Sequence, residues 1–153
     1  MWKALAAVVL CCGVGLMTAC SDKGQAPITP TPQTTNVAGN WAGQVSALGT
    51  AARMTWTLSQ TGSAVNGPVL LTVSSGLVLM NGFLTGSVSG TTLTYVISVA
   101  PGGIPLQPAC AGQITGTMAV TIAAVSTMAG TPTISSSTCA PPFPTGPLTL
   151  TKQ

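Results

Sequence analysis

Five cysteines, at positions 11, 12, 20, 110 and 139, are the side chains with the widest chemistry open to them. A thiol can take a lipid, pair as a disulfide or ligate a soft metal ion. Their surroundings separate them. Cys11 and Cys12 lie inside an uncharged apolar run and read as small hydrophobes. Cys20 closes that run, directly before the polar Ser21-Asp22-Lys23-Gly24. Cys110 and Cys139 stand far downstream, each beside a Pro/Gly-rich stretch. The remaining inventory is thin. Histidine is absent, the one acidic side chain is Asp22, and the basic ones are Lys3, Lys23, Arg53 and Lys152. Proton transfer needs titratable groups placed near each other, a Ser-His-Asp arrangement cannot be built, and hard cations would lack carboxylates. Arg53 could recognise an anion, or serve as a solvent-facing cation at a strand edge. Lys152, one residue from the last, reads as a solvated charge. No catalytic set, metal site or cofactor is expected, and the protein is expected not to be an enzyme.

The run before Cys20 has the form of an export signal. Lys3 supplies a short positive start, and residues 4–15 are uncharged and helix-compatible. A spanning helix needs about 20 apolar residues, more than this stretch offers, so an uncleaved anchor is disfavoured. Leu16-Met17-Thr18-Ala19-Cys20 resembles the end of a bacterial lipoprotein signal peptide, in which the cysteine receives lipid and becomes the first residue. Most members of that family carry Leu three places before the cysteine; here Met17 holds the position, with Leu16 one earlier. The resemblance implies that residues 1–19 are removed and that Cys20 carries acyl groups such as palmitate. It also implies a bacterial cell envelope location. Ser21, rather than Asp, after the cysteine implies the outer membrane rather than the inner one; secretion after ordinary cleavage at Ala19 is the alternative. Residues 20–36 then form a lipidated tether, Pro/Thr-rich and extended, that would lift the domain off the membrane.

With Cys20 assigned to lipid, Cys110 and Cys139 remain as an even pair in an exported domain, most simply a disulfide. A reactive-thiol or metal reading of the pair lacks a histidine or carboxylate beside it.

Composition bounds the domain, residues 37–153. Only 3% of the chain is charged, against about 25% in ordinary soluble domains. No basic patch exists to neutralise phosphates, so nucleic acid is not a partner. The polar surface must come from Thr, Ser, Asn, Gln and backbone, which with turn-forming glycines points to an all-β domain. Hydrophobic residues, 46% of the chain, alternate through its body, which is a folding signal rather than one of disorder.

The alternation predicts eight strands. Trp41, Gly43 and Val45 share a face of the first, and Met54, Trp56 and Leu58 of the second, over residues 53–59. A third covers 65–74. A fourth covers 76–88, bent or bulged at Asn81-Gly82 and Gly86. The fifth, 92–99, alternates strictly, with Leu93, Tyr95, Ile97 and Val99 together. The sixth spans 114–124 with Ile114, Met118, Val120 and Ile122 in phase, the seventh 128–136, and the chain closes on 147–152. Thr61-Gly62-Ser63 and Ser89-Gly90-Thr91 read as hairpin turns. These strands predict an antiparallel up-and-down meander closed into a small barrel, with a β-sandwich as the alternative. A membrane-spanning barrel lacks its aromatic girdles: the domain has two Trp, one Tyr and two Phe.

Gly39-Asn40-Trp41 resembles the Gly-x-Trp that opens the first strand of lipocalins and related small barrels, and the meander with its Leu-Thr-Leu-Thr-Lys ending is similar to the lipocalin and avidin group. The helix and the late arginine on the first Trp that lipocalins usually add have no match here, and no avidin ligand residue does either. Trp41, Trp56 and Tyr95 are candidates for a ligand pocket, or simply for the core. The expected function is a membrane-anchored, non-enzymatic barrel that binds a small apolar ligand or acts as an envelope interaction module. Alternatives are an inhibitor-type module presenting loops 100–109 and 139–146 to a secreted or periplasmic enzyme, and an adhesin-like structural surface protein.

Overall fold

The computed structural model describes residues 34–47, 49–139 and 146–153. Cys20, the signal segment 1–19 and most of the 20–36 tether lie outside the described residues. So does most of loop 139–146.

Among the described residues, alternation of apolar with polar or small side chains produces nine antiparallel strands: β1 (Gly39–Ala47), β2 (Thr50–Thr61), β3 (Ala64–Val73), β4 (Val78–Ser89), β5 (Thr92–Val99), β6 (Gly112–Thr121), β7 (Thr127–Gly130), β8 (Thr133–Ser137) and β9 (Leu148–Lys152). Each of β1 to β6 pairs with the next, β6 passes to β7, β7 to β9, and β9 returns to β1. Eight strands thus close a barrel, and β8 lies outside the ring against β6. Closure removes the sheet edges that an open meander would expose. The seam is short: Trp41 opposes Lys152, Ala42 opposes Thr151, and the Gln153 amide donates to the Asn40 carbonyl at 2.9 Å.

The expected single seventh strand is two. β7 and β8 follow one another along β6, interrupted at Thr131-Pro132. Proline has no N–H for the ladder, and β8 pairs with β6 through a shifted register at Gln113/Ile114. The fourth strand also differs from expectation. Its irregularity is at Leu79, the extra residue between the pairs Leu71–Met80 and Thr72–Val78, while Gly82 and Gly86 stay in register. Those glycines answer another need. A Cβ on Gly86 would strike the Thr94 carbonyl oxygen and the Tyr95 backbone, so the close approach of β5 requires its absence. The sixth strand ends at Thr121, which leaves Ile122 outside it and 57% exposed rather than in phase with the core.

Inward positions form one core. Trp41, Trp56, Tyr95, Met80, Leu84 and Leu150 are all at most 1% exposed. Many outward positions on β2 to β5, including Thr57, Ser59, Asn66, Thr85, Ser87 and Thr94, are exposed and hydroxyl- or amide-bearing, while Pro68, Leu70 and Phe83 form an exposed apolar group on the outer face of β3 and β4. The barrel has a floor, where the chain comes in at Asn36 and where turns 62–63, 90–91 and 122–126 lie. Its rim carries segments 74–77 and 100–111, with residues 138–139 and 146–147 beside them.

Candidate functional site

Three of the aromatics sit inside the barrel, and the fold brings them into one chain of neighbours. Trp41 and Trp56 are cross-strand partners on β1 and β2. The Trp56 and Tyr95 rings meet edge to face, with centroids 5.0 Å apart and planes at 67°. That arrangement suits the ring quadrupoles. Tyr95 owes its position to glycines on both flanking strands, since Gly86 and Gly116 are its register partners. A Cβ on Gly116 would lie 2.7 Å from Tyr95 Oη.

The polar atoms of the three are treated differently. Trp41 Nε1 donates to the Val37 carbonyl at 2.8 Å, whereas Trp56 Nε1 and Tyr95 Oη are buried with no hydrogen-bond partner among the described residues. Burial pushes the Tyr95 phenol up from 10.0 to about 12, because the phenolate would lose its water. At neutral pH Tyr95 is therefore an uncharged donor.

Both openings are corked by the chain itself. On the floor, Val37 is fully buried, and its amide donates to Gln60 Oε1 at 2.7 Å. Gln60 Nε2 in turn donates to the Thr35 and Gly62 carbonyls at 3.0 and 2.9 Å. Sequence reasoning missed this strap, because Gln60 has no motif and its partners are 23 and 25 residues away. On the rim, Ile104 of loop 100–109 is 7% exposed, and the Gly103 carbonyl accepts from the Asn81 amide at 2.7 Å.

The two cations part company. Lys152 is not simply a solvated charge: its Nζ stands 5.5 Å from the Trp41 ring centroid, a cation–π position over the first tryptophan. Arg53 is exposed on the outer side of β2, where its Nη2 donates to Gln153 Oε1 at 3.1 Å. It is a strand-face cation.

Cys110 and Cys139 form a disulfide, with Cα atoms 4.9 Å apart, as the even pair predicts. It joins the end of loop 100–109 to the segment after β8. Near it, Thr138 Oγ1 accepts from the Ala111 amide at 2.9 Å. A cleft of about 420 Å³ lined by Ser98–Ala100, Ala111–Gln113 and Ser136–Thr138 opens on the same side. The exposed rim side chains include Leu106 at 65% and Leu77 at 49%. Among the described residues, no cluster of three or more His, Cys, Asp or Glu could hold a metal ion.

Comparison with protein-family models, with curated proteins and with solved structures yields no match to this chain.

Proposed function

We propose that the protein is an exported, lipid-anchored envelope protein whose barrel is a non-enzymatic interaction module, meeting a partner protein through its rim. The observation that carries this reading is the contrast between the ends. The described chain begins at residues 34–36 on the floor, while the disulfide and the exposed Leu77 and Leu106 stand on the opposite rim. An apolar side chain held out on a stapled loop is a natural anchor for a protein partner. Exposed Thr, Ser and Asn side chains over much of the outer face of β2 to β5 support a water-facing barrel, since a lipid-facing one would be apolar throughout, and Leu70 and Phe83 are apolar exceptions. The inhibitor reading is a special case in which the partner is an enzyme, whereas the adhesin-like alternative would place contact on the Thr-rich faces.

Intact mass of protein extracted from membranes tests the anchor: loss of residues 1–19 with added acyl mass on Cys20 is expected, and unmodified full-length protein overturns it. A photo-crosslinking residue at Leu106 should yield one discrete adduct in the envelope, absent when the residue is placed at the exposed Thr91 on the floor. Equal labelling from both ends overturns the rim reading.

A second reading, carriage of a small ligand, draws on one observation. Trp56 Nε1 and Tyr95 Oη are two buried donors awaiting an acceptor. It calls for a largely apolar guest with one oxygen. Native mass spectrometry of the delipidated domain should then release a small molecule on denaturation; a bare chain mass ends this reading.

A further inference from the structure

The floor of the barrel carries a group of residues that the anchor by itself does not use. Two of its turns are built on Gly62-Ser63 and Gly90-Thr91, small and polar. The third, between β6 and β7, instead presents Ile122-Ala123-Ala124-Val125. All four are exposed, Ile122 at 57% and Val125 at 62%. They contribute nothing to the core, and exposed apolar tips of this kind suit an apolar counter-surface.

Beside the tip stands Lys152. It lines a cleft of about 560 Å³ with Ile122, Ser126 and Thr34–Asn36, and its amide donates to the Ser126 carbonyl at 3.0 Å. Lys152 and Arg53 are the only cationic side chains of residues 34–153, which hold no acidic side chain to repel an anionic surface. The cleft is also where the chain comes in from the tether. An apolar tip, a cation and the tethered terminus thus share one end of the barrel, with Arg53 away on its side.

Resting on the lipid-anchor reading, we infer that the barrel floor docks on the anionic phospholipid surface that holds the anchor. Ile122 and Val125 enter the headgroup boundary, and the Lys152 ammonium, standing over the Trp41 ring, supplies the positive charge beside them. Residues 20–36 would reach roughly 50 Å if extended, so the tether allows the domain to stand off as well as to dock. Docking then depends on the floor's own chemistry. Tethering raises the effective concentration of the surface, so a contact too weak to recruit free protein is enough. Contact through the floor also turns the rim outward.

The test uses the full protein purified from membranes and reconstituted into vesicles of phosphatidylcholine and phosphatidylglycerol in equal parts. Vesicles of phosphatidylcholine alone and detergent micelles serve for comparison. Deuterium uptake by residues 122–126 should slow severalfold in the anionic vesicles, while segment 74–77 on the opposite rim serves as the reference. Ile122→Ser/Val125→Ser, confined to exposed side chains, should abolish the protection at unchanged thermal stability. Lys152→Gln should weaken it about fivefold in anionic vesicles, as expected for one basic residue at such a surface. Equal uptake in all three media overturns the inference. So does protection that rises with protein concentration and not with lipid, which would indicate a second copy of the chain. Intact mass of the same sample separates the two claims. Acylated protein without protection refutes docking alone, whereas unacylated protein that is still protected refutes the anchor and leaves the docking surface standing.

Discussion

Replacing Tyr95 by Phe removes one oxygen from the centre of the barrel, and the structure assigns that oxygen two separate costs. Tyr95 is 1% exposed, its ring packs against Trp56 at 5.0 Å, and its hydroxyl has no partner among the described residues. A buried, unpaired hydroxyl costs roughly 1–3 kcal/mol of desolvation, while Phe keeps the ring and its edge contact. Allowing for the small void left by the oxygen, Y95F should gain about 1 kcal/mol at neutral pH, which is about 4 °C in Tm for a domain of this size. The second cost appears in alkali. The unfolded phenol loses its proton near 10, and the folded one only near 12. Between those values the folded chain holds a proton that the unfolded chain has released, so stability falls as pH rises. Over two pH units the wild type should lose about 3 kcal/mol through this group, and Y95F none of it. The assay is guanidinium denaturation of both proteins from pH 7 to the alkaline limit, followed by Trp fluorescence. Tyr95 is the sole tyrosine of the chain, so near-ultraviolet absorbance reports its ionisation without interference. A destabilised Y95F at neutral pH, or a phenol that titrates near 10 in the native state, refutes the reasoning.

Other perturbations test the remaining parts of the frame. Cys110→Ser/Cys139→Ser opens a loop of sequence separation 29 and should cost about 3.6 kcal/mol in the chain-entropy model; a loss under about 1 kcal/mol in denaturation would contradict it. Gly43→Ala drives a methyl into the Thr149 carbonyl oxygen at the β1–β9 seam and should cost about 3 kcal/mol, whereas Gly146→Ala, with open space around it, should be near neutral by the same measurement. Gln60→Ala removes the three hydrogen bonds of the floor strap. It should cost about 2 kcal/mol and speed hydrogen exchange at the Val37 amide at least about tenfold; unchanged exchange would show that the strap is held by other means.

The barrel was legible because its strands obey a period of two, with both faces written in unlike residues. β5 matches the expected 92–99, and the hairpin turns fall at 62–63 and 90–91. Trp41 and the Leu-Thr-Leu-Thr-Lys ending, the two marks of likeness to small closed barrels, meet across the seam. What stayed hidden depends on partners rather than period. Pro132 splits one apolar run into β7 and β8, but only the register of β6 decides which part remains in the ring. The bulge at Leu79 carries no turn residue to announce it. Gly82 and Gly86 look like breakers until Ile97 and Tyr95 of the next strand are seen against them. The candidate site divides in the same way. Burial of Trp41, Trp56 and Tyr95 follows from alternation, while the contact of Trp56 with Tyr95 and the place of Lys152 over Trp41 exist only once the ring has closed.

The strap at Val37 also decides how the domain answers a pull on its N-terminal segment. Without it, force arriving at residue 34 would peel β1 from its neighbours one hydrogen bond at a time, beginning at Gly39. Gln60 grips the chain at Thr35 and Val37, and Trp41 Nε1 grips the Val37 carbonyl, so tension is passed into β2 before it reaches the first ladder pair. Three side-chain hydrogen bonds then stand between the pull and the first ladder pair. The floor of this barrel is a strain relief for any pull that arrives through residue 34.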